Sequence, residues 1–172
     1  MANDHLNIIE RKLIDNLRAG TYTTIAGTDS GSAWSAGDIT VFGQFPETED
    51  LTYPCIIVEQ RANGIETQFF GQRITSGSSQ AIGELYGVVF TLTVACDADS
   101  AMTITGSSYK QRRLINYLML NCADVLMDCD FSATNTEVVE RHYSGFTDVG
   151  YNPTRETWAA RCDFVVVFKN SR

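Results

Sequence analysis

The apolar positions of this chain change their period once, and the change separates a strand from a helix. Between Leu85 and Cys96, the residues Tyr86, Val88, Phe90, Leu92, Val94 and Cys96 alternate with Gly87, Thr91, Thr93 and Ala95, and only Val89 breaks the pattern. Period two places every second side chain on one face, so this stretch predicts a strand with one face on a core. From Ser108 onward the spacing becomes Leu114, Ile115, Leu118, Cys122, Val125, Leu126 and Cys129, one stripe of an amphipathic helix. Ser108 and Gln111 predict a capping box at the start of that helix.

Upstream, Leu6, Ile9, Leu13 and Leu17 share a helical face, with Asn3 or Asp4 placed to cap it and Gly20 to end it. Residues 21–52 are rich in Thr, Ser, Gly and acidic side chains and predict a long loop with one short strand at Ile39–Phe42. Loops of that length in a compact domain are usually functional or ordered by a partner. Tyr53–Glu59 predicts a buried strand entered through Pro54, and Gly64–Phe70 a second extended segment. Residues 71–84, GQRITSGSSQAIGE, have the composition of a hairpin tip, so the segments near 64–70 and 85–96 are expected to pair with that tip projecting outward.

Glu137–Tyr143 predicts a modest strand, and a turn at Gly150, Asn152 and Pro153 leads into the last one. In Thr157–Lys169 the residues Trp158, Ala160, Cys162, Phe164, Val166 and Phe168 alternate with Thr157, Arg161, Asp163 and Lys169. The element order predicts an α+β fold: a largely antiparallel twisted sheet with an N-terminal helix and one long central helix packed on it, plus an extended hairpin and long polar loops. With 172 residues the chain can bury one core and is short for two, so a single domain over 1–172 is expected.

Composition narrows the chemistry. The segment MANDHLNIIERK has no basic region followed by an apolar run, so neither an export signal nor membrane insertion is expected. Five cysteines, at 55, 96, 122, 129 and 162, form no CxxC pair and fall mostly on apolar faces, which predicts reduced core thiols and synthesis in a cytosol. With only His5 and His142, a histidine-based zinc site would need closely spaced cysteines, which are absent; core or surface placement is expected for both. The loop Gly71–Gly83 lacks the Lys-Ser/Thr ending and following helix of a phosphate cradle, and no G-x-S-x-G elbow occurs. Glu47, Glu49 and Asp50 sit in a polar loop and read as a solvated or interface surface rather than an acid–base pair. No catalytic, cofactor-binding or metal-binding residue is nominated, and an enzyme is not expected. The net charge of −8 disfavours a grip on nucleic acid phosphates, which needs clustered Lys and Arg.

The central helix runs against its own dipole. Lys110, Arg112 and Arg113 occupy its start and Asp124, Asp128 and Asp130 its end, each mildly unfavourable where it stands. Either this is a solvated helix stabilised by other contacts, or the charges complement another surface. In the second account the basic end of one copy meets the acidic end of the next in a head-to-tail ring, with Lys110, Arg112, Arg113, Asp124 and Asp128 as subunit contacts.

The first helix, the strand TYPCIIVEQ, the Gly/Ser hairpin, GVVFTLTVACDADS leading into YKQRRLINYLMLNCADVLMD, and the closing FTDVGYNPTRETWAARCDFVVVFK together resemble tail terminator (neck terminator) proteins of tailed bacteriophages. The resemblance covers most of the chain. It rests on element order and on two segments, a strand ending in a small residue before a long helix and the Trp-containing last strand. It implies a small α+β structural subunit, without cofactor, that forms a homohexameric ring on the tail tube and meets the head-completion or connector protein, with a sheath protein as a further candidate partner. DNA would pass through the lumen without specific binding, and the protein would belong to the virion neck after assembly in the host cytoplasm. Residues Glu47, Glu49, Asp50, Gln72, Arg73, Ser76, Ser78 and Gln80, with Trp34 as an exposed anchor, are the expected contacts to tube or connector. Trp158 is expected in the core. A head-completion adaptor, a tail tube protein, or a small-ligand-binding α+β enzyme remain the alternatives.

Overall fold

The computed structural model of the chain describes residues 5–19, 39–43, 51–61, 66–69, 73–76, 79–104, 107–132 and 137–171. In chain order the elements are α1 (His5–Ala19), β1 (Thr40–Phe42), β2 (Cys55–Gln60), β3 (Glu66–Phe69), β4 (Arg73–Ser76), β5 (Ser79–Asp97), β6 (Ala101–Ile104), β7 (Ser107–Lys110), α2 (Gln111–Met127), β8 (Glu137–Phe146), β9 (Gly150–Asn152) and β10 (Thr157–Ser171). The main sheet runs β1-β2-β5-β10-β8, with β3 and β4 also pairing with β5 and β9 with β10; β6 and β7 make a separate ribbon. Only β1 and β2 are parallel among these pairs. The fold is α+β with a mostly antiparallel sheet, as the element order predicts.

The spine is the ladder between β5 and β10, which runs from Thr157 opposite Asp97 to Ser171 opposite Gly83. Alternation sorts its side chains. Val88, Phe90, Leu92, Val94 and Cys96 of β5 and Ala160, Cys162, Phe164, Val166 and Phe168 of β10 lie in one buried core with Ile56 and Val58 of β2. Both helices lie on that face: Ile9, Leu13 and Leu17 of α1, and Leu114, Ile115, Leu118, Cys122 and Leu126 of α2, complete the core. Each fully buried Val, Leu, Ile or Phe among them contributes about 1.5–3 kcal/mol of transfer free energy. Trp158, expected in the core, is half-buried at its margin and packs against the same cluster.

The opposite face carries a smaller apolar group, Cys55, Ile57 and Ala95 with Phe42, Leu51, Tyr53 and Ala159 against it. Beyond that group the face mixes polar side chains with Val89, Val165 and the buried Val167, and no described helix covers it. All five cysteines are free and buried, two faces of the sheet sharing them. His5 is buried beside the Phe168 ring, and His142 is half-buried.

The N-terminal helix is fixed to the sheet edge at two points. Arg18 donates from Nη2 to the Val41 carbonyl at 2.9 Å, satisfying an acceptor of β1. At Gly43 a Cβ would stand 2.9 Å from Ile14 Cδ1, the movable end of that side chain, which shows how closely α1 approaches the strand end.

The expected capping box does not form. Ser108 lies in β7, opposite Thr103, and its backbone is committed to that ribbon. Lys110 is the N-cap instead, extended at φ −138° and ψ 156°, without a side-chain cap hydrogen bond. The chain turns from strand to helix through Gln111 at φ 52°, a left-handed conformation that costs a non-glycine residue energy. The ribbon of β6 and β7, which fixes that entry, leaves no periodic signal in the sequence, because Ala101–Lys110 has too few apolar residues. Asn3, Asp4, Gly20 and most of the 21–52 loop lie outside the described residues.

Candidate functional site

The outer face of α2 is built by the same periodicity that buries its inner face. Leu114, Ile115, Leu118, Met119, Asn121, Cys122 and Leu126 are buried. At 3.6 residues per turn the opposite stripe is Arg113, Asn116, Leu120, Asp124 and Met127, and all five are exposed. Leu120 is 49% exposed and Met127 39%, two of the few large apolar side chains left in water. Of the stripe, Arg113 rests on the Tyr109 ring, while Leu120 and Met127 stay exposed.

Its inner side is held firmly. Asn121 donates from Nδ2 to the Tyr117 carbonyl at 2.7 Å. The Tyr143 hydroxyl of β8 reaches the Cys122 carbonyl at 3.2 Å and the Ala123 carbonyl at 2.5 Å, tying the helix to the edge strand of the sheet. Burial raises the Tyr143 phenol above its ordinary value, so it stays a donor.

The charges divide as the sequence places them. Lys110, Arg112 and Arg113 are exposed at one end, and Asp124, Asp128 and Asp130 at the other. The first turn holds no acidic residue and the last no basic one. None of Lys110, Arg112, Arg113, Asp124 and Asp128 belongs to an ion pair among the described residues. The Arg113 guanidinium lies over the Tyr109 ring, 4.7 Å from its centroid, and Tyr109 packs tilted on Tyr117 at 5.0 Å, so this cation is propped at the surface. Asp130 accepts from the Ser132 backbone N–H at 2.8 Å and from its hydroxyl at 2.9 Å, which hold its carboxyl below the usual carboxylate range.

The other expected contact residues are placed in part. Arg73 and Ser76 lie on β4 and Gln80 on β5, in a tight antiparallel ladder with Thr75 opposite Gln80 and Ser76 opposite Ser79. That hairpin begins β5, and the first turn of α2 lies near the strand's other end, where Cys96 Sγ meets the Gln111 carbonyl at 3.7 Å. Trp34, Glu47, Glu49, Asp50, Gln72 and Ser78 lie outside the described residues.

A polar cluster on the helix-free face was not singled out in the sequence. Arg61 Nη1 stands 3.0 Å from Asp163 Oδ2, and Thr91 Oγ1 donates to Asp163 Oδ1 at 2.7 Å. These residues line a shallow hollow with Glu59, Thr147 and Arg161. Thr91 and Asp163 show in the alternation as polar-face residues, but Arg61 is 102 positions from its partner and local spacing carries no sign of the pair.

Among the described residues no group of three or more His, Cys, Asp or Glu is placed to hold a metal ion, and no helix is long and apolar enough to cross a membrane. In comparisons with known proteins, no family model and no curated protein matches this chain.

Proposed function

We propose that this chain is a structural virion subunit of the tail terminator type, which self-associates into a hexameric ring, caps a phage tail tube and joins it to the head connector. The observation that carries the self-association is the outer stripe of α2, whose charges of opposite sign at the two ends form no ion pair among the described residues and flank exposed Leu120 and Met127; the ring form itself rests on the resemblance. A surface with both charges and an apolar centre is complementary to a copy of itself. The α+β architecture and the element order agree with the resemblance of the sequence to that family. A net charge of −8 suits a ring whose lumen passes DNA, because each neutralised phosphate would strengthen retention through counterion release. The hairpin of β4 and β5, at the other end of β5 from the start of α2, is the surface offered to tube or connector. Light scattering on the purified protein tests the reading: the mass of a multi-subunit assembly supports it, and a monomer at the highest soluble concentration removes it.

A further inference from the structure

We infer that the outer face of α2 pairs side by side with the same face of a second copy, antiparallel, about a two-fold axis at Leu120. The inference shares with the ring reading only the premise that α2 meets another copy of this chain.

The basic and acidic ends of α2 lie on either side of Leu120. Arg112 and Asp128 both stand eight positions from it, one inside the first turn and the other at the C-cap, while Lys110 and Asp130 lie just beyond the two helix ends. Arg113 precedes it by seven and Asp124 follows it by four, both on the exposed stripe. At a rise of about 1.5 Å per residue, Arg112 and Asp128 of one helix are about 24 Å apart, too far to satisfy each other within the chain. A half-turn about an axis through Leu120 brings equidistant positions of two copies level, so each basic end meets an acidic end and the match occurs twice. Arg113 then lies within side-chain reach of the other copy's acidic end, while Leu120 meets its own counterpart at the centre.

Other arrangements fail on the same residues. A parallel pair places arginine against arginine and aspartate against aspartate. The head-to-tail contact expected from the sequence joins only the helix ends and leaves Leu120 and Met127 in water. The antiparallel pair covers both, and it brings carboxylates beside the helix N-terminus and cations beside the C-terminus, reversing the unfavourable dipole contacts each chain carries alone. Such a contact is isologous, so it joins two chains and does not close a ring; ring closure falls to a different, heterologous surface. One helix pair is a small contact, and it gains strength where several act together, as between two stacked rings.

Cysteine cross-linking tests the geometry in the full chain. The five native thiols are buried and offer little background under the thiol oxidant diamide. A Leu120→Cys chain is expected to form a disulfide-linked dimer, because the two-fold axis sets the two sulfurs within bonding range. An Asn116→Cys chain is expected to form roughly tenfold less, since its two copies stand about 12 Å apart along the axis. Adding Asp124→Cys to Asn116→Cys restores the cross-link, because those positions come level. Multi-subunit mass with no dimer from Leu120→Cys overturns the antiparallel contact and leaves the ring reading standing. Dimer from Leu120→Cys without any larger assembly sustains the contact and removes the ring reading. Monomer with no cross-link overturns both.

Discussion

Phe164 of β10 sits directly opposite Phe90 of β5, and neither has any exposed surface. The pair lies at the middle of the long ladder, under the helices, where the ring of Tyr143 also meets Phe164 at 5.1 Å. Phe164→Ala is therefore expected to cost about 3–5 kcal/mol, the lost transfer free energy plus the cavity left between sheet and helix. Urea unfolding of the variant measures it. A loss below about 1 kcal/mol would mean that the site collapses freely and that the ladder is not the centre of the core.

Tyr143 joins β8 to α2 through a hydroxyl that a phenylalanine lacks. The Cys122 and Ala123 carbonyls lie within α2 and keep their helical partners, so Tyr143→Phe removes a bond without orphaning an acceptor. The expected cost is about 1 kcal/mol. Hydrogen exchange should show faster opening of the last turns of α2, and unchanged protection there would contradict the link.

How much of this was legible in the sequence depends on the kind of signal. Helix and strand at Leu85–Cys129 were readable because burial is one-sided there, so Val88, Phe90 and Leu92 report one period and Leu114, Leu118 and Cys122 the other. The first half of β5 and all of β4 read only as a hairpin tip, since Gln80, Ser79 and their partners carry no apolar alternation. The helix start was misplaced because a capping box is a local pattern, and the β6 and β7 ribbon overrode it by engaging Ser108 and Lys110 in strand pairing. At α2 the charge inversion was visible in the sequence. What the sequence alone did not give is that Leu120 and Met127 lie on the same solvent-facing stripe as Arg113 and Asp124, which decides how a second copy would lie.

Alkali is expected to destabilise the fold through its thiols. Burial pushes Cys96 and Cys129 up to about 11 and Cys55 and Cys162 up to about 12, from an ordinary value of 9.0; Cys122 is also raised. A folded-state value above the unfolded one gives stability that is intact below the unfolded pKa and lost as pH rises toward the folded one. The urea midpoint should thus be level from pH 7 to 8 and fall above 9.0, each thiol costing up to about 1.4 kcal/mol per pH unit. Cys162→Ala should make the fall shallower. A midpoint constant to about pH 10.5 would contradict thiols buried in this way.

Charge reversal addresses self-association without touching the core. Arg112→Glu with Arg113→Glu leaves both positions exposed, so stability should change by less than about 1 kcal/mol while the assembly mass falls. Reversing Asp124 and Asp128 to arginine in the same chain should restore the mass, because the complementarity is regained with the signs exchanged. Loss of mass that the second pair fails to restore would point to damage at Arg112 and Arg113 themselves.

Electron microscopy of the purified full chain bears most directly on the claim that this protein works by assembling. Closed rings with a central opening, singly or stacked in pairs, are the predicted result. A field of separate single-chain particles at concentrations where light scattering also finds only monomer would contradict it.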